Sequence, residues 1–289
     1  MGQLQTALNL LAAPAAFILG RMAGSPARSA RSIDFDPQYL RGYASRMQDN
    51  NINSEMFIRF AQGAKLCASA NKSIDDSIVE LFPKSHGQLL QDIVCSIVHR
   101  QKRCGYFVEV GVGDGEKYSN TLMLERDFGW HGVLAEPATM FHDSIRKLRS
   151  AVLDARAIGQ TNGRMLFEQD EKIGELSGLV GKSKVRENSS NSRYDVDVIN
   201  FDEFLEEHRA PDEIDYISID TEGSELSVIN GLSLKNRRIW FFTVEHNFDK
   251  GRIRAYEEIF SKFGYRRILP SVSAFDSWYV HRELGDEFF

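Results

Sequence analysis

The chain reads as an α/β protein: a mostly parallel, twisted sheet with helices on both faces, an antiparallel C-terminal edge and a helical N-terminal extension. Three observations carry this. Beyond Cys104, short apolar runs alternate with amphipathic segments, as strands joined by helices do. The first run, YFVEVGV, leads into three glycines at alternate positions, Gly111, Gly113 and Gly115. The chain then closes on two strand-like runs, YRRILP and SWYVHR, joined by a polar turn and expected to pair antiparallel at the sheet edge.

The elements follow in order. Residues 1–35 hold an apolar stretch, Leu8 to Gly20, interrupted by Asn9 and Pro14 and followed by the small, polar AGSPARSARS. The stretch is too short for a membrane-spanning helix, which needs about 20 apolar residues. No positive charge precedes it as in a secretory signal. It is expected to form a short helix, with peripheral membrane contact helped by Arg21, Arg28 and Arg31 as the other option, and the chain is expected to be cytoplasmic. Residues 36–103 read as helical, because MFIRFAQGAKLCASA and HGQLLQDIVCSIVHRQ repeat apolar residues at three- and four-residue spacing.

Residues 104–289 form the α/β domain. Strand-like YFVEVGV, GVLAEP, AVLDARAIG, IDYISID and IWFFTVEH are separated by helix-like NTLMLERDFG, FHDSIRKLRS, FDEFLEEH, ELSVINGL and RAYEEIFSKFG. The polar, Gly- and Ser-rich stretch Gln169 to Tyr194 fits neither pattern and reads as a substrate-side lid or a surface excursion.

Bulk properties narrow the function. The 289 residues are 42% hydrophobic and 26% charged, ordinary for a soluble globular protein, and the net charge of −6 argues against a nucleic-acid backbone as partner. Cys67, Cys95 and Cys104 show no metal-binding spacing and read as small buried hydrophobes in a reducing compartment. There is no P-loop lysine motif, no H-E-x-x-H and no G-x-S-x-G.

In an open parallel sheet, ligands sit at the carboxyl ends of the strands, so the informative residues follow each apolar run. Glycines after the first strand let backbone approach a ligand closely. A dinucleotide fingerprint wants a small residue where this chain has Glu116, whose charge repels a pyrophosphate. Glu109 and Asp114 instead suit a cationic, phosphate-free cofactor such as S-adenosylmethionine, and Asn120 is counted with the same loop. Glu136 lies about 20 residues on, where an acid accepts hydrogen bonds from ribose hydroxyls. Asp220 and Glu222 end the fourth strand; Glu245, His246 and Asn247 end the fifth. Such a set deprotonates an alcohol or holds a divalent ion through oxygen ligands.

With these stretches on the page, the chain resembles the FkbM-type S-adenosylmethionine-dependent methyltransferases. The matching residues are FVEVGVGDGEKYSNT, GWHGVLAEP, EIDYISIDTEGSELSVINGL, FTVEHN and the closing DSWYVH, between roughly Gly105 and His281. The resemblance implies a Rossmann-like class I methyltransferase fold and methyl transfer to a hydroxyl of a sugar, glycoconjugate or natural product. It implies a cofactor loop of Glu109, Gly111, Gly113, Asp114 and Gly115, with Glu136 as ribose-binding acid. Asp220, Glu222, Glu245, His246 and Asn247 match its strand-end polar motifs, and Asp276 its terminal D-x-W-Y element; Val112 is larger than usual. On this reading His246 is the general base, because its ordinary pKa of about 6.5 suits neutral pH. Asp220 orients it, or with Glu222 and Glu245 holds Mg²⁺. Glu222, Asn247 and Asp276 face the substrate. Two other readings compete: a nicotinamide-dependent oxidoreductase, disfavoured by Glu116, and a non-catalytic cofactor-binding scaffold attached by its N-terminal helices.

Overall fold

The computed structural model describes Gly63, Leu66 and residues 76–181 and 191–285. The apolar stretch of residues 8–20 and most of MFIRFAQGAKLCASA lie outside the described residues. The chain divides into two compact units, one of residues 1–85 with 286–289, the other of residues 86–285. In the first, Asp76–Val79 make one helical turn and Phe82–Lys84 a 3₁₀ turn.

The second unit carries the site. It opens with α1 (Gln91–Val98), a helix buried on every side. Then come β1 (Tyr106–Val110), α2 (Leu122–Phe128), β2 (His131–Ala135), α3 (His142–Leu148) and β3 (Val152–Asp154). A second group of strands follows: β4 (Ala157–Gly159), β5 (Gly163–Gln169), β6 (Gly178–Leu179) and β7 (Ser192–Asn200). The chain finishes through α4 (Phe201–Glu207), β8 (Glu213–Ile219), α5 (Glu225–Asn230), β9 (Arg238–Glu245), α6 (Lys250–Lys262), β10 (Tyr265–Ile268) and β11 (Asp276–His281).

Seven strands form the main sheet in the order β10-β11-β9-β8-β1-β2-β3. All pairs from β9 to β3 are parallel, while β11 runs antiparallel to both β9 and β10. This is the expected α/β sheet with its antiparallel edge, β11 being inserted one place in from the margin. All five residues of β1 are buried, as a central strand covered on both faces requires. One face packs Val108, Ile217 and Phe242 against Phe201 and Phe204 of α4, Val228 of α5 and Phe260 of α6. Side-chain oxygens cap two helices: Asn200 accepts from Glu203 N at 3.2 Å, and Asp249 accepts from Gly251 N at 2.7 Å.

The second sheet, β4-β7-β5-β6, went unread in the sequence. The run AVLDARAIG is two strands that part company, β3 joining the main sheet and β4 pairing with β7. The unassigned stretch Gln169 to Tyr194 begins at the end of β5 and ends inside β7, with β6 between them. Phe167, Leu179, Val196 and Val198 give this sheet its own small core with Ala138 and Ala157. Among the described residues no helix is long and apolar enough to cross a membrane. Cys95 is buried as expected, but Cys104 is exposed in the turn before β1, so only part of the cysteine reading holds.

Candidate active site

Strand order reverses between β1 and β8: β2 and β3 continue on one side of β1, and the chain returns to its other side. A cavity of about 440 Å³ opens where the carboxyl ends of these strands meet. Its lining comes from the glycine loop, the end of β2, the strand tips of β8 and β9, and the second sheet with its 3₁₀ turn at Gly174–Leu176.

Gly111 has a φ of +81°, and a Cβ there would collide with the carbonyl oxygen of Asp220, so the two strand ends meet only around glycine. Gly113, also left-handed at +60°, exposes bare backbone to the cavity. Glu136 holds this loop: its carboxylate accepts from Val112 N at 2.8 Å, Gly113 N at 2.9 Å and Ala138 N at 2.8 Å. Burial raises the Glu136 pKa, and those three N–H groups oppose the rise. The acid expected to meet a ribose therefore lines the cavity with Gly111 and Gly113, whereas Gly115, also expected in the cofactor loop, stands off the lining beside Ile145 and Arg149.

Glu109 is placed differently from expectation. It is buried and does not line the cavity; its carboxylate accepts from Asn120 N at 2.7 Å and Thr121 Oγ1 at 2.6 Å and faces Arg149 Nη1 at 3.3 Å. Arg149 has no exposed side-chain surface and reaches Glu125 at 2.7 Å through Nε. It also donates to Ser119 Oγ at 3.1 Å and to Thr121 Oγ1 at 2.6 Å. Nothing in the local sequence around Arg149 marks it, 40 residues from its partner. Asp114 accepts from Glu116 N at 2.9 Å and Lys117 N at 2.8 Å, which closes a turn rather than facing the cavity. The Asn120 amide donates to Ser218 Oγ at 2.9 Å and likewise lies off the lining. A carboxylate on a strand tip binds the nearest unpaired N–H groups first, and here these belong to the following loop.

The tips of β8 and β9 bring Asp220, Glu222, Glu245 and Asn247 to the lining, as expected. One carboxylate oxygen each of Asp220, Glu222 and Glu245 lies within 4.8 Å of the others. Burial and the neighbouring charges of Glu245 and Glu222 push the Asp220 pKa well above the ordinary carboxylate range. Burial, then Glu222 and Glu225, push Glu245 up to about 9. Without a ligand, Glu245 therefore carries its proton at neutral pH.

His246, expected as the general base, is buried and absent from the lining. Its Nδ1 accepts from Phe248 N at 3.0 Å, and burial with the nearby Arg267 charge lowers its pKa. Asn247 and Phe248, which follow it, both have left-handed backbone. Asp276 is buried too: it accepts from Gln91 Nε2 at 2.9 Å and Trp278 Nε1 at 3.2 Å, and burial lifts its pKa to about 6. The stretch Gln169 to Tyr194, read as a lid or a surface excursion, brings Ile173, Glu175 and Leu179 to the lining, and Phe141, Ile158 and Phe167 join them without having been singled out. Glu175 reaches over Gly113 to pair with Lys117 at 3.0 Å.

The residues present fit S-adenosylmethionine. The glycine loop leaves backbone accessible, Glu136 has lone pairs to spare for ribose hydroxyls, and Phe141, Ala157, Ile158 and Phe167 form an apolar wall that suits a purine. The acidic end at Asp220 and Glu245 favours a positive charge.

Comparison with protein families matches residues 109–267 to the methyltransferase FkbM domain, more than half of the chain. Comparison with the curated proteins finds no match. Among solved structures, the METTL16 MTase domain is similar at 14% identity with a TM-score of 0.39, covering 85% of this chain and 91% of that one. The SeMet-substituted CurJ carbon methyltransferase is similar at 8% identity and a TM-score of 0.36, covering 88% of this chain and 72% of that one. Likenesses this weak add nothing to the assignment, which rests on the family match and on the cavity that match encloses. The chain belongs to the FkbM methyltransferase domain family and is an S-adenosylmethionine-dependent methyltransferase.

Proposed function

We propose that the chain methylates a hydroxyl oxygen on a polyhydroxylated acceptor: a sugar, a glycoconjugate or a natural-product hydroxyl. The observation that carries this reading is the acidic end of the cavity, where Asp220, Glu222 and Glu245 converge with Asn247 beside them. Carboxylates and an amide accept and donate hydrogen bonds as vicinal hydroxyls require. On this reading the carboxylates also receive the hydroxyl proton.

When bound, S-adenosylmethionine supplies the methyl group from its sulfonium and leaves as S-adenosylhomocysteine. The chain's part is positional and acid–base. The Glu136-held glycine loop fixes one end of the cavity, and the β8 and β9 tips fix the acceptor side. On this reading Asp220 or Glu245 would take up the proton that the acceptor hydroxyl gives up as it receives the methyl group. With His246 out of the cavity, these two carboxylates are the candidate bases. With Glu222 they would also be the residues to hold a divalent ion, which would supply positive charge beside the hydroxyl. A positive charge beside them favours their ionised form.

The test is to supply methyl-labelled S-adenosylmethionine and the purified chain to a cell extract, then locate the label in the product by NMR. A methyl ether on a hydroxyl-rich acceptor is the expected outcome. Label on nitrogen or carbon would sink the reading. So would cofactor binding without transfer to any component, which is the behaviour of a non-catalytic scaffold.

A further inference from the structure

We propose that Asp220, Glu222 and Glu245 form a divalent-cation site that seats the acceptor hydroxyl, an inference that rests on the hydroxyl-methylation reading. The first support is spacing. Two ligands on one ion can be separated by at most twice the metal–oxygen distance, about 4 Å for Mg²⁺ and about 5 Å for Ca²⁺. One oxygen from each of the three carboxylates falls within 4.8 Å of the others, inside the Ca²⁺ bound, and a small inward shift of the side chains brings all three onto a smaller ion.

The second support comes from one atom. Glu245 is 6% exposed, yet its Oε2 has no hydrogen-bond partner among the described residues. A buried carboxylate oxygen is ordinarily satisfied, and an orphan on a cavity wall marks the place of an incoming partner.

The third support is the balance of charge. The basic side chains on the lining are already engaged: Lys117 on Glu175 at 3.0 Å, and Arg156 on Asp154 at 2.6 Å and Glu207 at 2.7 Å. Arg252, whose charge reaches Glu245, is held by Glu225 at 2.8 Å. Among the described residues, each of these cations is thus held by an acid outside the trio. The donor set of three carboxylates is all oxygen, with no sulfur and no imidazole on the lining. That set selects a hard ion, Mg²⁺, Mn²⁺ or Ca²⁺, over zinc or copper. Three protein ligands leave positions for water and for the acceptor oxygen. Bound there, the hydroxyl is oriented and made more acidic, and its proton leaves to solvent or to a free carboxylate oxygen.

The probe is Mn²⁺ alone, titrated into the full chain with S-adenosylhomocysteine present and followed by loss of the free-ion EPR signal. One ion per chain is expected, displaced by excess Mg²⁺. Glu245→Gln and Asp220→Asn should each weaken Mn²⁺ at least tenfold while S-adenosylhomocysteine affinity and thermal unfolding show the chain still folded. Glu116→Gln, an exposed acid off the lining, should leave Mn²⁺ affinity unchanged. Absence of Mn²⁺ binding at millimolar concentration overturns the proposal, as do variants that bind like the parent. The hydroxyl reading fails separately: label would then appear on nitrogen or carbon, whatever Mn²⁺ does.

Discussion

Glu245 makes a proton-linked prediction that can be worked through. Its carboxyl lies among Glu222, Glu225 and Asp276 and titrates near 9 in the folded chain, against an ordinary 4.5. A carboxyl with a raised folded pKa does not affect stability below the unfolded value, where both states are protonated. Above it, the unfolded chain releases a proton that the folded chain retains, so stability falls as pH rises from about 4.5 towards 9. One proton difference gives a slope of about 1.4 kcal/mol per pH unit, which makes the penalty roughly 3 kcal/mol at pH 7. Glu245→Gln removes this titrating group while keeping a neutral side chain of the same shape. The variant should therefore be more stable than the parent at pH 8, equal to it near pH 4.5, and flatter in between. Urea unfolding of the metal-free, ligand-free chain at half-unit pH steps measures this directly. If parent and Glu245→Gln lose stability in parallel as pH rises, the placement of Glu245 in a desolvated acidic cluster is wrong.

Other outcomes follow from the same packing. Arg149→Met leaves Glu109 and Glu125 charged and buried without their guanidinium, and should lower stability by about 3–5 kcal/mol in denaturant titration. Phe260→Ala opens the aromatic cluster in which Phe260 lies 4.2 Å from Tyr279 and 4.8 Å from Phe242, and should cost about 3–5 kcal/mol by the same measurement. Glu136→Ala frees three loop N–H groups and should weaken S-adenosylhomocysteine at least tenfold by calorimetry, with the chain still folded. His246→Asn should leave the pH dependence of methyl transfer in place, since the ring does not line the cavity; loss of the acidic limb in that variant would restore His246 as the base.

Much of this fold was legible because the central strands of the main sheet are buried on both faces and appear as near-continuous apolar runs. YFVEV and IDYISI stand out against polar surroundings, and the residues after them fall at the strand tips by geometry alone. The second sheet escaped for the opposite reason. In SRYDVDVIN the pattern is alternating, with Tyr194, Asp195 and Asp197 among the apolar residues, and its partner GRMLFEQ is mostly open to solvent at its start. Half-exposed strands differ little from polar loops in composition, and pairing across 30 residues leaves no local trace. The tip carboxylates were likewise identified by position but not by partner. Glu136 and Glu109 are both acids beside the same glycines; only the fold shows that one faces the cavity and the other faces Arg149.

That difference changes what the glycine loop is. Glu109 was expected to attract a cation from the cofactor, yet its charge is already answered within the protein. Arg149 ties Glu109 to Ser119, Thr121 and the Gly115 carbonyl, while Glu136 holds Val112 and Gly113 from the opposite side. The loop is thus fixed at both ends by buried charged groups before any ligand arrives. A loop already in its binding shape loses little conformational entropy on association, so more of each new hydrogen bond appears as affinity. The same division of labour explains why the acids of the site lie apart. The one beneath the glycines stabilises the cradle, while Asp220 and Glu245 at the β8 and β9 tips, raised in pKa, and with Glu245 Oε2 lacking a partner among the described residues, are left to respond to positive charge. Rigidity on the cofactor side and electrostatic responsiveness on the acceptor side are what an in-line transfer between two bound partners requires.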